Sequence, residues 1–438
     1  MARKLFGTDG VRGLAGEFLT ADLALALARA ATAGSPVERP RVLIIRDTRE
    51  SGEMLESAMA AGVTAAGGDA YLGGILPTPA APLLLARYGF DLAAVISASH
   101  NPYEDNGIKF FGPDAFKLSD AAELAIEAAL EGVPRTRDVG RIRALHGTQE
   151  DYLREIGTRF AGLDLAGADV VLDCANGATF RVAPEAFRRR GAKVTTLAVE
   201  PDGRNINDGV GSTHLDGLAR AVAEGGHDLG FAFDGDGDRV LAVDRNGTVV
   251  DGDELLALAA RHLRQSGRLP GDGVAVTVMT NYGFHTAMAD AGIEVATTRV
   301  GDRYVLEELR ARGWALGGEQ SGHVIEMGFN ATGDGLAAAL LTLEALAGND
   351  LAGRHAMEKL PQRLVNVRVP DRDAVMASDD VASAAAAANA ELAGRGRVLI
   401  RPSGTEPLVR VMVEAPSEEE ADAVCDRLVG IVSGIAAA

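Results

Sequence analysis

Short apolar runs rich in β-branched residues alternate with helix-periodic stretches along most of the chain. Arg41-Val-Leu-Ile-Ile45 leads through a polar loop into a helical stretch over Gly52 to Ala66. Ala70 to Ile75 and then Leu92-Ala-Ala-Val-Ile96 follow, with another helical stretch between them. The same order returns in the middle of the chain: Val170 to Leu172, a helix over Val182 to Arg190, Lys193 to Leu197, then Leu229 to Phe233. A third pass runs through Val274 to Met279, a helix near His285, Glu294 to Thr297, and Trp314 to Leu316. Strands alternating with helices predict βαβ units with mostly parallel pairing. In each pass the third strand opens into a polar, glycine-containing loop at its carboxyl end, where α/β proteins place their chemistry.

The last part of the chain follows a different plan. Leu364 to Val369, Arg397 to Ile400 and Leu408 to Val413 read as strands, and the alanine-rich run Val381 to Leu392 as a helix. Ser417 suits an N-cap, with Glu418 to Glu420 in the first turn of a closing helix that reaches about Gly434. The expected fold is therefore three similar mixed or parallel-sheet α/β domains (1–150, 151–253 and 254–362), followed by a C-terminal α+β domain (363–438), around a central cleft. At 438 residues the chain is too long for one core, and about 150 residues per domain agrees with that division.

Composition narrows the partners. With 47% apolar and 24% charged residues the chain is ordinary globular protein. Its net charge of −19 argues against nucleic acid, and any anionic substrate must be caught by a local basic pocket. Cys174 and Cys425 make no disulfide framework and fit a reducing compartment. Met1 to Lys4 runs quickly into Gly7, Asp9 and Gly10, so no signal-peptide core is expected. The most apolar stretch, Leu336 to Leu346, is shorter than the ~18 residues a membrane span needs and reads as a buried helix. The expectation is a cytoplasmic protein with no membrane partner.

The chemistry lies in the loops. Ser99, in Ser97-Ala-Ser99-His-Asn-Pro102, presents a hydroxyl after the run Leu92 to Ile96, and Pro102 stops any helix there. Asp234-Gly-Asp236-Gly-Asp238-Arg239 sets three carboxylates at alternate positions after Leu229 to Phe233, and Gly235 and Gly237 allow the backbone to curl them toward one centre. A calcium EF-hand would need glycine at its sixth position and glutamate at its twelfth, where this chain has Arg239 and Arg245. Hydroxyl plus carboxylates point to phosphoryl transfer with Mg²⁺, a phosphorylated Ser99 supplying a fourth ligand beside Asp234, Asp236 and Asp238. An aspartyl-phosphate phosphatase using Asp234 is the rival. Lys109, read as part of the serine loop, either neutralises the moving phosphoryl group or shuttles a proton. Arg12 adds charge from a glycine-rich opening that reads as neither strand nor helix. Glu319 and Ser321, in Gly318-Glu-Gln-Ser-Gly-His323, can bind sugar hydroxyls, and His323 offers a titratable imidazole as a candidate catalytic proton carrier. Arg401, Ser403, Gly404, Thr405 and Arg410 have the makings of a phosphate cradle.

Together these four loops, in this order and covering essentially the whole chain, resemble the α-D-phosphohexomutase superfamily. Phe6-Gly-Thr-Asp-Gly-Val-Arg-Gly13, Gln320, Thr298-Arg-Val-Gly-Asp-Arg-Tyr304 and Thr332-Gly-Asp-Gly335 are most similar to its bacterial phosphoglucosamine mutase family. One departure is Ile45, before Arg46-Asp-Thr-Arg49, where that family usually has glycine. The resemblance implies interconversion of glucosamine 6-phosphate and glucosamine 1-phosphate on the path to UDP-N-acetylglucosamine, through phosphorylated Ser99 and a 1,6-bisphosphate intermediate. Phosphomannomutase or phosphoglucomutase activity on the same fold is the alternative. It implies one Mg²⁺ at Ser99, Asp234, Asp236 and Asp238, hexose 1,6-bisphosphate as activator, and added positive charge from Lys109, Arg12 and Arg239. It also implies a small-molecule sugar phosphate as partner, a mobile last domain, and a monomer or homodimer.

Overall fold

A computed structural model of the chain describes residues 5–7, 9–130, 132, 138–403 and 406–436. The motif residue Thr8, the opening Met1 to Lys4, and Gly404 and Thr405 of the expected phosphate loop lie outside the described residues. The chain divides into two compact units, the first made of 1–278 and 294–354, the second of 279–293 and 355–438.

The first unit holds three sheets. The first is built from β1 (Val11–Leu14), β2 (Arg41–Arg46), β3 (Asp69–Ile75), β4 (Leu92–Ile96), β5 (Asp105–Phe111) and β6 (Ile142–Ala144), in the order β1-β5-β4-β2-β3-β6. The second comprises β7 (Asp169–Asp173), β8 (Lys193–Leu197), β9 (Leu229–Phe233), β10 (Val240–Asp244) and β11 (Val249–Val250), in the order β11-β10-β9-β7-β8. The third comprises β12 (Gly273–Thr277), β13 (Glu294–Thr298), β14 (Leu316–Gly318) and β15 (Val324–Glu326), ordered β13-β12-β14-β15.

One plan runs through all three. In each sheet the first strand of the pass lies between the second and third and pairs in parallel with both, as β2 does with β3 and β4. The third strand then returns on itself as an antiparallel neighbour: β4 with β5, β9 with β10, β14 with β15. The three polar loops are the tips of these hairpins. β4 and β9 are buried at every position, so they read as continuous apolar runs and anchor their tips firmly.

The returning strands correct two expectations. Lys109 lies inside β5, paired with Val95 of β4, so its side chain is fixed by a ladder and is not part of the serine loop. Arg12 lies in β1, paired with Gly107 on the sheet edge, although the glycine-rich segment read as neither strand nor helix. The third strand of the third pass is also displaced, starting at Leu316 and taking in Gly317 and Gly318, because Trp314 packs against α-helical neighbours of its core before the ladder begins. The apolar helix Gly335–Leu346 is buried along almost its whole length, as expected. Among the described residues no helix is long and apolar enough to cross a membrane.

The second unit is a three-stranded antiparallel sheet of β16 (Gln362–Arg368), β17 (Arg397–Pro402) and β18 (Leu408–Glu414), with β18 at its centre. Val409, Val411 and Val413 of β18 pack with Val424, Leu428 and Val432 of the closing helix Glu418–Ala436. The helix Tyr282–Asp290 belongs to this unit. Its N-cap residue Asn281 exchanges two 3.0 Å hydrogen bonds with the backbone of Leu360, and the Tyr282 amide donates to Glu414 at 2.8 Å.

Candidate active site

Two hairpin tips of the first unit meet at Ser99. Its hydroxyl donates to Asp234 Oδ2 at 2.5 Å, joining the β4–β5 tip to the β9–β10 tip across 135 positions of sequence. Ser99 sits at φ 53°, a left-handed conformation that costs an L-residue of this kind on the order of 1–3 kcal/mol and persists only where surroundings enforce it. The hydroxyl is almost wholly buried.

Asp234, Asp236 and Asp238 bring one oxygen each within 4.8 Å of one another, the one such cluster of three among the described residues. The two glycines between them do different jobs. Gly237 supplies φ +71°, whereas Gly235 supplies closeness: a Cβ there would stand 2.6 Å from the Ser99 carbonyl oxygen. Burial, with Asp236 and Asp238 alongside, pushes the Asp234 carboxyl well above the usual range. Asp236 goes the other way. Burial opposes its charge, but the Lys109 ammonium at 2.9 Å and the Thr78 hydroxyl at 2.6 Å hold it ionised. Asp236 Oδ1 and Asp238 Oδ1 are buried without a hydrogen-bond partner. Buried carboxylate oxygens with no donor, aimed into one all-oxygen cluster, fit a hard divalent cation.

The third tip joins through Asp238. The Val240 amide donates to the Gly322 carbonyl at 3.1 Å, and His323 Nδ1 stands 3.7 Å from Asp238 Oδ2. His323 Nε2 faces Asp302 at 3.8 Å and accepts the Gly333 amide at 3.1 Å. Burial lowers its affinity for a second proton, yet the two carboxylates outweigh this and raise it. Glu319 accepts the Gly301 amide at 3.0 Å, the Ser321 hydroxyl is buried without a partner, and Gln320 donates to Asp251.

These contacts close a ring of alternating charge that sequence reasoning missed. Lys109 touches Asp9 at 3.4 Å and Asp238 at 4.0 Å, His323 links Asp238 to Asp302, and Lys117 closes the circle with 2.5 Å contacts to Asp302 and Asp9. Arg12 also pairs with Asp9. Burial disfavours every charge here, but opposite neighbours win: Lys109 and Lys117 are raised and Asp9 is lowered. Arg239, half-enclosed on the other side, reaches His100 Nδ1 at 3.2 Å, and Ser99 Oγ lies 3.4 Å from that same nitrogen. Burial and the Arg239 and Arg12 charges lower the His100 pKa. Asp9 and Asp302 stand in motifs that were legible. Lys117, in Phe-Lys-Leu, carries no local signal at all.

In the second unit, Arg401 and Arg410 are cross-strand partners on β17 and β18, and Arg410 Nε is buried without a partner. Burial and the Arg410 charge lower the Arg401 pKa, while Arg410 itself lies 3.9 Å from the Glu406 carboxylate. Ser403 is buried, its hydroxyl accepting the Glu406 amide at 3.3 Å.

A buried hydroxyl, a carboxylate cluster that could hold a cation and fixed ammonium groups on a repeated α/β scaffold are the features that phosphoryl transfer needs. Comparison with known proteins agrees. Residues 3–136, 150–247, 251–366 and 364–431 match, in turn, the α/β/α domains I, II and III and the C-terminal domain of phosphoglucomutase/phosphomannomutase. The chain belongs to that family. It is 50% identical to the phosphoglucosamine mutases of Moorella thermoacetica and Rhodococcus erythropolis, each alignment covering 99% of this chain and 100% of the relative. Among solved structures it is similar to a phosphoglucomutase/phosphomannomutase family protein from Burkholderia thailandensis (TM-score 0.83, 24% identity, 98% of this chain and 97% of that one). It also matches the N-acetylphosphoglucosamine mutase of Aspergillus fumigatus, solved with GlcNAc-6P and magnesium (TM-score 0.67, 19% identity, 99% and 96% covered).

Proposed function

We propose that this chain interconverts glucosamine 6-phosphate and glucosamine 1-phosphate, with Ser99 as the residue that carries the phosphoryl group. The observation that carries the chemistry is the Ser99 hydroxyl held 2.5 Å from Asp234 in a buried, left-handed turn. The full-length 50% identity to phosphoglucosamine mutases supports the choice of sugar.

In this reading phosphorylated Ser99 gives its phosphoryl group to the free hydroxyl of the bound sugar phosphate. The serine O–P bond breaks as the sugar O–P bond forms, and a 1,6-bisphosphate results. The intermediate reorients, and its other phosphate returns to Ser99. Asp234, Asp236 and Asp238, with the serine oxygen, are the residues that would hold Mg²⁺, which when bound would supply charge stabilisation for a loose transition state. Lys109, whose carboxylate neighbours hold it protonated, acts as a fixed cation and not as a proton shuttle. Arg12 and Arg239 add charge. Glu319 and Ser321 bind sugar hydroxyls, with His323 fixing their tip against Asp238. In the second unit Arg401, Ser403, Gly404, Thr405 and Arg410 bind a phosphate of the substrate.

A coupled assay for glucosamine 1-phosphate, run with Mg²⁺ and a trace of hexose 1,6-bisphosphate, tests the proposal. Turnover that Ser99→Ala lowers by about 10⁴-fold or more is expected, since the group that forms the covalent intermediate is lost. Turnover of glucose or mannose 6-phosphate in its place would keep the chemistry and move the substrate. Steady release of inorganic phosphate would make the chain a phosphatase.

A further inference from the structure

The left-handed turn at Ser99 needs something to enforce it, and the neighbouring side chain best placed to do so is Arg49. It is completely buried, as is Asp47, and the two form a 2.9 Å ion pair. An arginine has five N–H donors, and all five of these are used. Nε donates to Asp47. One terminal nitrogen donates to the carbonyls of Ser99 and Asn101, both at 2.9 Å, and the other to those of Pro102 and Asp105. Four bonds to backbone oxygens between Ser99 and Asp105 leave that hairpin tip little freedom.

Asp47 continues the chain of contacts from the opposite side. Its Oδ2 accepts the Ser97 hydroxyl at 2.5 Å, and the Ser97 oxygen in turn accepts the Ser99 amide at 3.0 Å. Arg49 thus grips the carbonyl of Ser99 while Asp47, through Ser97, grips its amide. Both peptide planes flanking the strained residue are fixed from one buried pair. Asn207, from the second sheet's domain, adds donors to the Ser99 and Asn101 carbonyls at 2.9 and 3.0 Å.

We infer that Arg49 is a positioning residue for phosphoryl transfer: with Asp47 it holds Ser99 in its left-handed turn, so that the hydroxyl faces Asp234 without Arg49 touching the reacting atoms. The inference rests on the reading of Ser99 as the phosphoryl carrier. A lysine has three donors in a tetrahedral head and cannot reproduce a planar fork on four carbonyls.

Arg49→Lys in the full-length chain tests this with two readouts. One is hydrogen exchange of peptides spanning 98–106, which does not depend on activity. The other is the single-turnover rate of Ser99 labelling by hexose 1,6-bisphosphate, together with steady-state kcat and KM per folded molecule. Exchange in that loop is expected to rise about tenfold while β2 and β4 stay protected. Labelling and kcat are expected to fall about 100-fold with KM little changed, and methylguanidine to restore part of the loss in Arg49→Ala. Loop exchange at the wild-type level, or kcat within about threefold of wild type, overturns the inference. If wild type itself does not label Ser99, the mutase reading falls, and the exchange result still decides whether Arg49 holds the turn. Should Arg49→Lys fail to fold, Ser97→Ala cuts the same chain at its other end. About a tenfold slower labelling is then expected, and an unchanged rate counts against the inference.

Discussion

Gly235 and Gly237 stand two positions apart, yet replacing each by alanine should act differently. At Gly237 the left-handed backbone and a Cβ 2.5 Å from Thr179 Cγ2 both oppose the change. At Gly235 the obstacle is the Ser99 carbonyl itself, so the error passes directly to the hydroxyl. Both variants should lose about 1–3 kcal/mol in urea unfolding, but only Gly235→Ala should also shift the Ser99 turn, seen as a larger drop in kcat than in stability. Lys109 allows a second expectation at this scale. Its ammonium is fixed by β5 and by Asp236 and stays protonated, so Lys109→Met should cost about 10²–10³ in kcat with a pH–rate profile of unchanged shape. A profile that loses a limb would make it a proton carrier.

Among the elements, the helix Gly335–Leu346 shows what a buried cap does to pH dependence. Its N-cap residue Asp334 accepts the Ala337 amide at 3.0 Å and the Tyr152 hydroxyl at 2.9 Å, and burial raises its pKa from 3.8 to about 6. A carboxyl with a raised folded pKa stabilises the fold fully below its unfolded value, and that contribution disappears as pH climbs through 6. Asp334→Asn keeps a capping side chain without the titration. Between pH 4 and 7 the variant should gain on wild type by about 2 kcal/mol, read as the difference in unfolding free energy at the two ends. A constant difference would show that Asp334 does not titrate there.

The elements also show what was readable in the sequence. Nearly all the parallel strands and all three tips were, because β4 and β9 are continuous apolar runs that end abruptly in glycine and charge. The antiparallel returns were not. β5 reads Asp-Asn-Gly-Ile-Lys-Phe-Phe and β1 reads Val-Arg-Gly-Leu, compositions that look like loop until the neighbouring strand supplies the ladder. Ser99 and the three aspartates announced themselves by spacing. Lys117 and the part Arg49 plays did not, since they depend on partners far away in the chain: Asp302 is 185 positions from Lys117, and apart from Asp47 the Arg49 acceptors lie 50 to 56 positions on.

Across the first unit, the charge ring links segments that flank its three sheets. Asp9, Lys109 and Lys117 come from the first, Asp238 from the second, Asp302 and His323 from the third, and detaching any one would leave buried charges unpaired. Lys117→Met removes the cation shared by Asp9 and Asp302, leaving Asp9 to Lys109 and Arg12 and Asp302 to His323, and should cost about 1–3 kcal/mol. In calorimetry the wild-type unit should melt in a single transition, and the variant should melt earlier or in two steps. An unchanged melt would show that the ring contributes nothing to cohesion.

The three hairpin tips have a consequence for how such a molecule changes over generations. Each tip lies beyond the last rung of its own ladder, so strand register is set by the ladder and the tip's conformation by the tips it meets. The same strand plan thus carries three tips that meet one another, Ser99 with Asp234 and Asp238 with His323. A change in the tip at Glu319 to His323 is therefore felt at the aspartate tip, since a side chain at Gly322 would meet the Val240 carbonyl at 2.1 Å and His323 faces Asp238.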